Sequence, residues 1–376
     1  PDRCAHPDRA GDGAVNAPVS HPKLTRDVGP GLAELGQQAD RAHLLFLERF
    51  RDMLLTRMFP ALSAAGETAM RAAGLAPDAS LDDVKRAFAT CPVVPAWQRF
   101  MRTQQEMMWR RVRAAAVADR ARLLAEMDAA EASAPDRLVR PDNLAIPAYA
   151  HREIHLQPGG YVDDPLGGVV YEWGTKVFYQ GLNDHDEVQR EVAAIAAVPA
   201  DGAVRRVLDL ACGIGQGTLP LKARFPQAEV TGLDIGLPLL RHAHARAVAA
   251  GVEVRFVHGL AEDMPFPDGH FDMIVAYILF HEVPLDVIPR ILAEAHRILR
   301  PAGTFSIVEF PSLGQGLPPA FRFMLDYDSR DNCEPYSPDF VAADFRGMLG
   351  DAGFTVTEGE PTMNAFLQSL VATKPK

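Results

Sequence analysis

Apolar residues along this chain follow two different rhythms. From Leu32 to about Ala132 they recur at helical spacing: in "AHLLFLERFRDMLLTRMFPALSAAG", Leu44, Leu47, Phe50, Met53, Leu54 and Met58 fall roughly on one face. "SLDDVKRAFAT" opens on Ser80, a good N-cap, and the run from Pro95 to Ala132 is rich in Ala, Arg and Glu, as helices are. Its Phe100, Met101, Met107, Met108 and Trp109 read as helix packing rather than a cofactor box, because such side chains are usually buried. "SAPDRLVRPDNLAIPAY", punctuated by Pro135, Pro141 and Pro147, reads as a linker. From Arg205 the rhythm changes. "RRVLDLA", "EVTGLDI", "VEVRFVHG", "FDMIVAYI" and "GTFSIVEF" are apolar strands, with helices expected over 216–224, 237–250, 285–299 and 339–352. Apolar strands separated by helices predict a doubly wound, mostly parallel α/β sheet. "FTVTEGE" and "NAFLQSLVATK" have only a short loop between them and predict an antiparallel C-terminal hairpin.

The chain has 376 residues, comfortable for two domains. Its 48% hydrophobic content supports a core, and 23% charged residues are ordinary for a soluble protein. A formal net charge of -11 argues against a nucleic-acid partner, which calls for a basic surface. The arginines between Arg99 and Arg122 read as a solvated helix face balanced by the acids from Glu126 to Glu131. Cys4, Cys91, Cys212 and Cys333 are too few for a disulfide scaffold and lack metal-type spacing, which fits a reducing cytoplasm. No apolar run reaches membrane-spanning length and no secretory signal stands out, so no membrane partner is expected. Residues 1–30, rich in Pro, Gly, Asp and His, are expected to be disordered or foreign to the native chain.

The chemistry concentrates where the first strand breaks into glycines, in "VLDLACGIGQGT". A buried parallel strand delivers the chain to a tight turn at the carboxyl edge of the sheet. Glycines there let the backbone approach a ligand, and the following helix offers free N–H groups. An acid after the next strand, Asp234, can take two ribose hydroxyls. These features suit dinucleotides and adenosyl ligands alike. Two details separate them. Gly213, Gly215 and Gly217 form G-x-G-x-G rather than G-x-G-x-x-G, and Asp209 lies four residues before the first glycine. A carboxylate there would repel a pyrophosphate but could pair with an ammonium.

These residues resemble motif I of the class I S-adenosylmethionine-dependent methyltransferases, of the Rossmann-like, small-molecule type, whose common form is D-x-x-C-G-x-G. The resemblance continues in order to Phe310: "VTGLDIG" is similar to the ribose-binding acid motif, "GLAEDMPFPDGHFDMIVAYILFHEV" to the adenine-loop and fourth-strand motifs, and "EAHRILRPAGTFSIVEF" to the helix–Pro–Gly–strand signature. It implies S-adenosylmethionine as cofactor and S-adenosylhomocysteine as product. By position it implies that Asp209 and the backbone from Ala211 to Gly213 face the methionyl part, with Gly213, Gly215 and Gly217 shaping the turn. Asp234 would bind ribose and Ile235 would pack on adenine. Leu260, Ala261 and Glu262 would lie at the adenine edge, and Tyr277 near the methionine. Many members have an Asp where this chain has Leu260, so Glu262, Asp263 or backbone alone takes the adenine amino group.

Methyl transfer is an in-line displacement, so the acceptor pocket must mainly align and exclude water, with a base where the acceptor carries a proton. His281 and Glu282 follow the fourth strand and are the catalytic candidates, His281 as base because its ordinary pKa lies near neutrality. The alternative is that His281 packs or caps and Glu282 sits in a first helical turn. "FMLDYDSRDNCEPYSPDF" offers Tyr327, Asn332 and Glu334 as substrate contacts, or else a surface loop ending at a Ser337 cap with Pro338 at N1. Tyr161, Tyr171 and Tyr179, in the aromatic stretch before the first strand, suit a lid over a sulfonium or packing of the helices onto the sheet. His151, His155 and His185 lack a clear third ligand, so no metal is expected, and Cys212 fills space.

The fold expected is therefore α/β, a Rossmann-like doubly wound sheet with a helical N-terminal domain. Residues 1–30 form a tail, 31–145 a helical cap, 146–184 an aromatic bridging or lid segment, and 185–376 the methyltransferase domain. The expected partner is a small-molecule methyl acceptor, at oxygen or nitrogen first and sulfur next. The helical domain leaves room for a homodimer. The rivals are an S-adenosylmethionine-binding regulatory protein without turnover and an NAD(P)-dependent oxidoreductase.

Overall fold

The structure, a computed structural model, describes residues 37–312, 317–362 and 367–376; the 1–30 stretch and Cys4 lie outside the described residues. Alternating apolar runs form β2 (Arg206–Leu210), β3 (Glu229–Asp234), β4 (Arg255–His258), β5 (Phe271–Tyr277), β6 (Leu299–Glu309), β7 (Thr355–Glu358) and β8 (Gln368–Thr373), preceded by a two-residue β1 (Leu138–Val139). The sheet order is β1-β4-β3-β2-β5-β6-β8-β7. Strands β1 to β6 pair in parallel, while β8 runs antiparallel to both β6 and β7. Successive strands step one way from β2 to β3 and β4, and the other way to β5 and β6. The carboxyl end of β2 is therefore the point where the winding reverses and a crevice opens.

Helices α7 (Glu187–Ile195), α8 (Thr218–Arg224) and α9 (Leu237–Ala249) cover one face, and α10 (Ile288–Ile298), α12 (Ser337–Ala342) and α13 (Phe345–Asp351) the other. Both faces of the central strands are buried, which is why β2 and β5 read as continuous apolar runs. The expected helix over 339–352 is in fact split into α12 and α13, where Asp344 caps a second helix by accepting from the Gly347 N–H at 2.8 Å.

The helical layer comprises α1 (Gln38–Met53), α2 (Phe59–Ala72), α3 (Leu81–Phe88), α4 (Val93–Ala118) and α5 (Arg120–Ser133). Ser80 caps α3 as expected, accepting from the Asp83 N–H at 3.2 Å. The long run from Pro95 is two helices, breaking at Asp119. Met101, Met108 and Trp109 are buried, whereas Phe100 is exposed. Two expectations need correction. The Pro-rich stretch read as a linker supplies β1, whose Leu138 pairs beside Phe256 at the sheet edge. The segment read as an acceptor loop is mainly helix α11 (Pro319–Asp331), which packs on α2 and α3. Its apolar face makes that choice: Phe323 stacks on Phe88 at 5.1 Å and Tyr327 meets Trp97 at 5.1 Å.

Helix α6 (Gly167–Phe178) joins the layers, packing on α1, α4 and α9. Close approach to α4 depends on a missing side chain: a Cβ at Gly174 would stand 2.1 Å from the Trp109 ring. Gly174→Ala is therefore expected to destabilise the protein by about 1–3 kcal/mol through overpacking. Chemical denaturation would show it, and an unchanged midpoint would mean that the layers are not held together there.

Candidate active site

Strand β2 carries Asp209 into the sheet's interior, in register with Gly232 of β3 and Val275 of β5. A buried carboxyl needs a donor, and Thr218 Oγ1 supplies one at 2.6 Å from the first turn of α8. Burial pushes Asp209 up to about 7, with the Thr218 hydroxyl opposing the rise and the Asp234 carboxylate adding to it. Asp234 ends β3 and braces two loops: it accepts from the Gly213 N–H at 2.8 Å and the Gly236 N–H at 2.7 Å. Burial pushes it up to about 6, and those N–H donors limit the rise.

The turn between these acids is left-handed at Ala211, Gly213 and Gly215. Gly213, at φ +52°, has nothing within 4 Å of where a Cβ would stand, so the turn leaves open space toward the crevice. Gly215 packs on Phe256, and Gly217 abuts the Asp209 carboxylate. The turn is also held from behind. Arg246 of α9 donates to the Ile214 carbonyl at 2.9 Å and to Asp186 at 2.6 Å, while Gln216 donates to the other oxygen of Asp186 at 2.9 Å. Glu172 of α6 lies 3.2 Å from the same guanidinium and 2.6 Å from His242. Burial would raise the Glu172 pKa, but Arg246 and His242 outweigh it and hold the carboxyl below its ordinary value.

A cavity opens over this turn. Asp209, Ala211, Gly213, Gly217, Asp234, Ile235 and Tyr277 line it, joined from the covering segment by Tyr161 and Tyr171 and from beyond β5 by Glu282. Its charged lining is three acids, with no basic side chain. Gly215 shapes the turn from outside the lining. Leu260, Ala261 and Glu262, expected at the adenine edge, do not reach the cavity wall. Leu260 bridges to Asp263, Ala261 packs against the core, and Glu262 instead accepts from the hydroxyl of Tyr149 at 2.7 Å. Tyr149 itself lines the cavity. Tyr149, Ile154, Gln189 and Leu239 were not legible as site residues, because they come from three separate segments that only the fold brings together.

Beyond β5 the backbone is strained, with β-branched Ile278 at φ +48° on the cavity wall. His281 is not on the cavity wall and is 2% exposed, with Nδ1 2.6 Å from Glu309 Oε1. Burial would lower its pKa, but the Glu309 carboxylate outweighs that and raises it to about 9. The expectation of His281 as base therefore meets a buried imidazole tied to Glu309, while Glu282 is the member of the pair on the cavity wall. Glu282 does face the cavity, and its Oε1 lies 3.4 Å from the Tyr161 hydroxyl and 3.6 Å from His155 Nε2. Tyr179 stands one layer back, its hydroxyl 3.3 Å from that of Tyr277. Glu334 and Asn332 are buried against His155, at 2.9 and 3.3 Å. Tyr327 is removed from the acceptor side altogether, donating to the Gln98 carbonyl at 3.2 Å. Ser337 begins α12 without capping it. Among the described residues, no group of three or more His, Cys, Asp or Glu could hold a metal ion.

Residues 207–303 match the family described as "Methyltransferase domain". The chain is 32% identical to an uncharacterized methyltransferase of Synechocystis, over 46% of this chain and 77% of that protein. It is 41% identical to a demethylmenaquinone methyltransferase of Thermus thermophilus, over 33% of this chain and 54% of that protein. It is 35% identical to a fatty-acid O-methyltransferase of Mycolicibacterium smegmatis, over 39% of this chain and 49% of that protein. The chain thus spans about half the length of the last two relatives.

Asp234→Ala is expected to weaken S-adenosylmethionine binding by about 1–3 kcal/mol, the cost of losing charge-assisted hydrogen bonds; unchanged affinity in isothermal titration would place the ligand elsewhere. In the roles expected of them, Asp209 would meet an ammonium and Asp234 ribose hydroxyls as carboxylates, and both pKa values are raised. Affinity should therefore fall as pH drops through 7 and 6, by up to about tenfold per pH unit for each group fully protonated. Asp209→Asn should flatten the upper part of that profile, and a flat wild-type profile from pH 5 to 7 would contradict the assignment.

Proposed function

Because the chain belongs to the class I S-adenosylmethionine-dependent methyltransferases, we propose that it moves a methyl group onto a small-molecule acceptor, at oxygen or nitrogen first and sulfur next. The observation that carries this is the single cavity shared by Asp209, Asp234, the open side of Gly213 and Glu282. Those residues fit the cofactor chemically: one buried carboxylate for its ammonium, one for its ribose hydroxyls, and a turn with space for the chain between. Bound there, S-adenosylmethionine supplies an electrophilic methyl, whose bond pair departs with sulfur as the acceptor's lone pair attacks.

The protein's own work is to bind, orient and exclude water. Tyr161, Tyr171 and Tyr277 line the cavity, and aromatic rings there favour a sulfonium. Ile154, Tyr161 and Tyr171 come from the segment that covers the sheet, which we read with the helical layer as a cap that keeps the acceptor small. Glu282 takes the acceptor's proton in the role first considered for His281. A lining of three acids and no base disfavours a phosphorylated or carboxylate acceptor at the reacting end. We also place the enzyme in the cytoplasm, on its scattered cysteines; among the described residues, no helix is long and apolar enough to cross a membrane.

Incubation with methyl-labelled S-adenosylmethionine and a metabolite extract should yield S-adenosylhomocysteine together with one labelled product that carries no anionic group at its methylated end. Tight binding of the cofactor with no labelled product from any extract would favour the regulatory alternative. With the acceptor in hand, Glu282→Gln should cut turnover by about 10²–10⁴-fold at nearly constant cofactor affinity. His281→Gln should mainly lower stability, by about 3 kcal/mol, because it removes the cationic partner of the buried Glu309, which keeps only the N–H groups of Phe280 and Phe310. A stable His281→Gln enzyme with turnover lost would restore His281 as the base.

A further inference from the structure

His155 stands where three parts of the chain meet. Its backbone and that of Leu156 are both left-handed, at φ of 54° and 61°. Such strain in residues with side chains persists only where surroundings over-determine it. Here the His155 carbonyl is gripped from α4, by Gln105 Nε2 at 3.0 Å and Trp109 Nε1 at 2.6 Å. The imidazole is thereby aimed between two acids from distant segments, with Nδ1 2.9 Å from Glu334 Oε1 and Nε2 3.6 Å from Glu282 Oε1. Phe178 of α6 packs against the ring, centroid to centroid 5.5 Å. Burial would push the imidazole down, but the carboxylates of Glu334 and Glu282 outweigh it and hold it up at about 10; Asn332 Nδ2 also stands 3.3 Å from Nδ1.

We propose that His155 is a positioning residue whose imidazole presents the Glu282 carboxylate to the transferring methyl and the acceptor's proton, with Glu334 holding the ring in place. The inference rests on reading the cavity as a methyl-transfer site. Tyr161 and His155 both approach Oε1 of Glu282, which leaves Oε2 for the acceptor. The helical layer is then part of the site, since α4 sets the backbone that aims the ring. His155 takes up no proton from the acceptor; it holds the group that does.

Sinefungin tests this, because it carries an ammonium where the cofactor carries its methyl, whereas S-adenosylhomocysteine carries nothing there. Wild-type protein should bind sinefungin about tenfold more tightly than S-adenosylhomocysteine through a charge-assisted contact with Glu282. Glu282→Gln should abolish that preference. His155→Gln should reduce it at least about threefold while S-adenosylhomocysteine affinity stays within about twofold. An unchanged preference in His155→Gln, or a parallel loss of both affinities, would overturn the proposal, the second by reducing His155 to a support of the fold. A wild-type protein that binds neither ligand would instead sink the methyl-transfer reading of the cavity. If His155→Gln does not fold, imidazole ¹⁵N spectra of wild-type protein decide: the His155 signals should move with sinefungin but not with S-adenosylhomocysteine. An equal response to both would count against the proposal.

Discussion

Asp234 shares its two oxygens between the backbone N–H groups of Gly213 and Gly236, and the geometry of the crevice hangs on that shared carboxylate. It sits at the carboxyl end of β3 with Asp209 close by on β2, two acids in a place that burial makes unfavourable for both. Neither is neutralised by a basic side chain of the cavity wall. A cationic ligand with hydroxyls relieves that cost, while a pyrophosphate would add to it. The crevice's charge, before its shape, disfavours a pyrophosphate.

What surrounds the turn serves to keep those acids in register. Arg246 and Asp186 fasten Ile214 and Gln216 to α9 and to the start of α7, and Glu172 ties the same guanidinium to α6. Helix α6 also carries Tyr171 to the cavity wall. One helix therefore braces the glycine turn through Glu172 and Arg246 and reaches the cavity through Tyr171. Its close packing on α4 is possible because Gly174 has no side chain to meet Trp109. Cap and sheet share buried charges as well as apolar surface, which makes their relative placement specific rather than merely adhesive.

The acceptor side is built differently. Its polar groups come from the covering segment, from the turn after β5 and from the stretch between α11 and α12. His155, Glu282 and Glu334 satisfy one another there in a site partly closed to water. The carboxylate that faces the cavity is oriented by a residue well over a hundred positions away in sequence.

The contrast in what could be read from sequence follows from that difference. The strands, the glycine turn, Asp209, Asp234 and the antiparallel hairpin were legible because each rests on local spacing: an apolar run, a turn requiring positive φ, an acid at a strand's end. The α11 segment was misread as a loop, since its polar residues hid an apolar stripe that only Phe88 and Trp97 reveal as core. His281 looked like the base because it follows β5, but nothing local announces Glu309, 28 residues later, as its buried partner. His155 had no local signal beyond a nearby second histidine. The sequence by itself determined the sheet, the cofactor crevice and its charge. The tertiary structure alone decided which polar groups face the acceptor, because that depends on pairings between distant buried acids and bases whose cost burial makes too high to leave unmet.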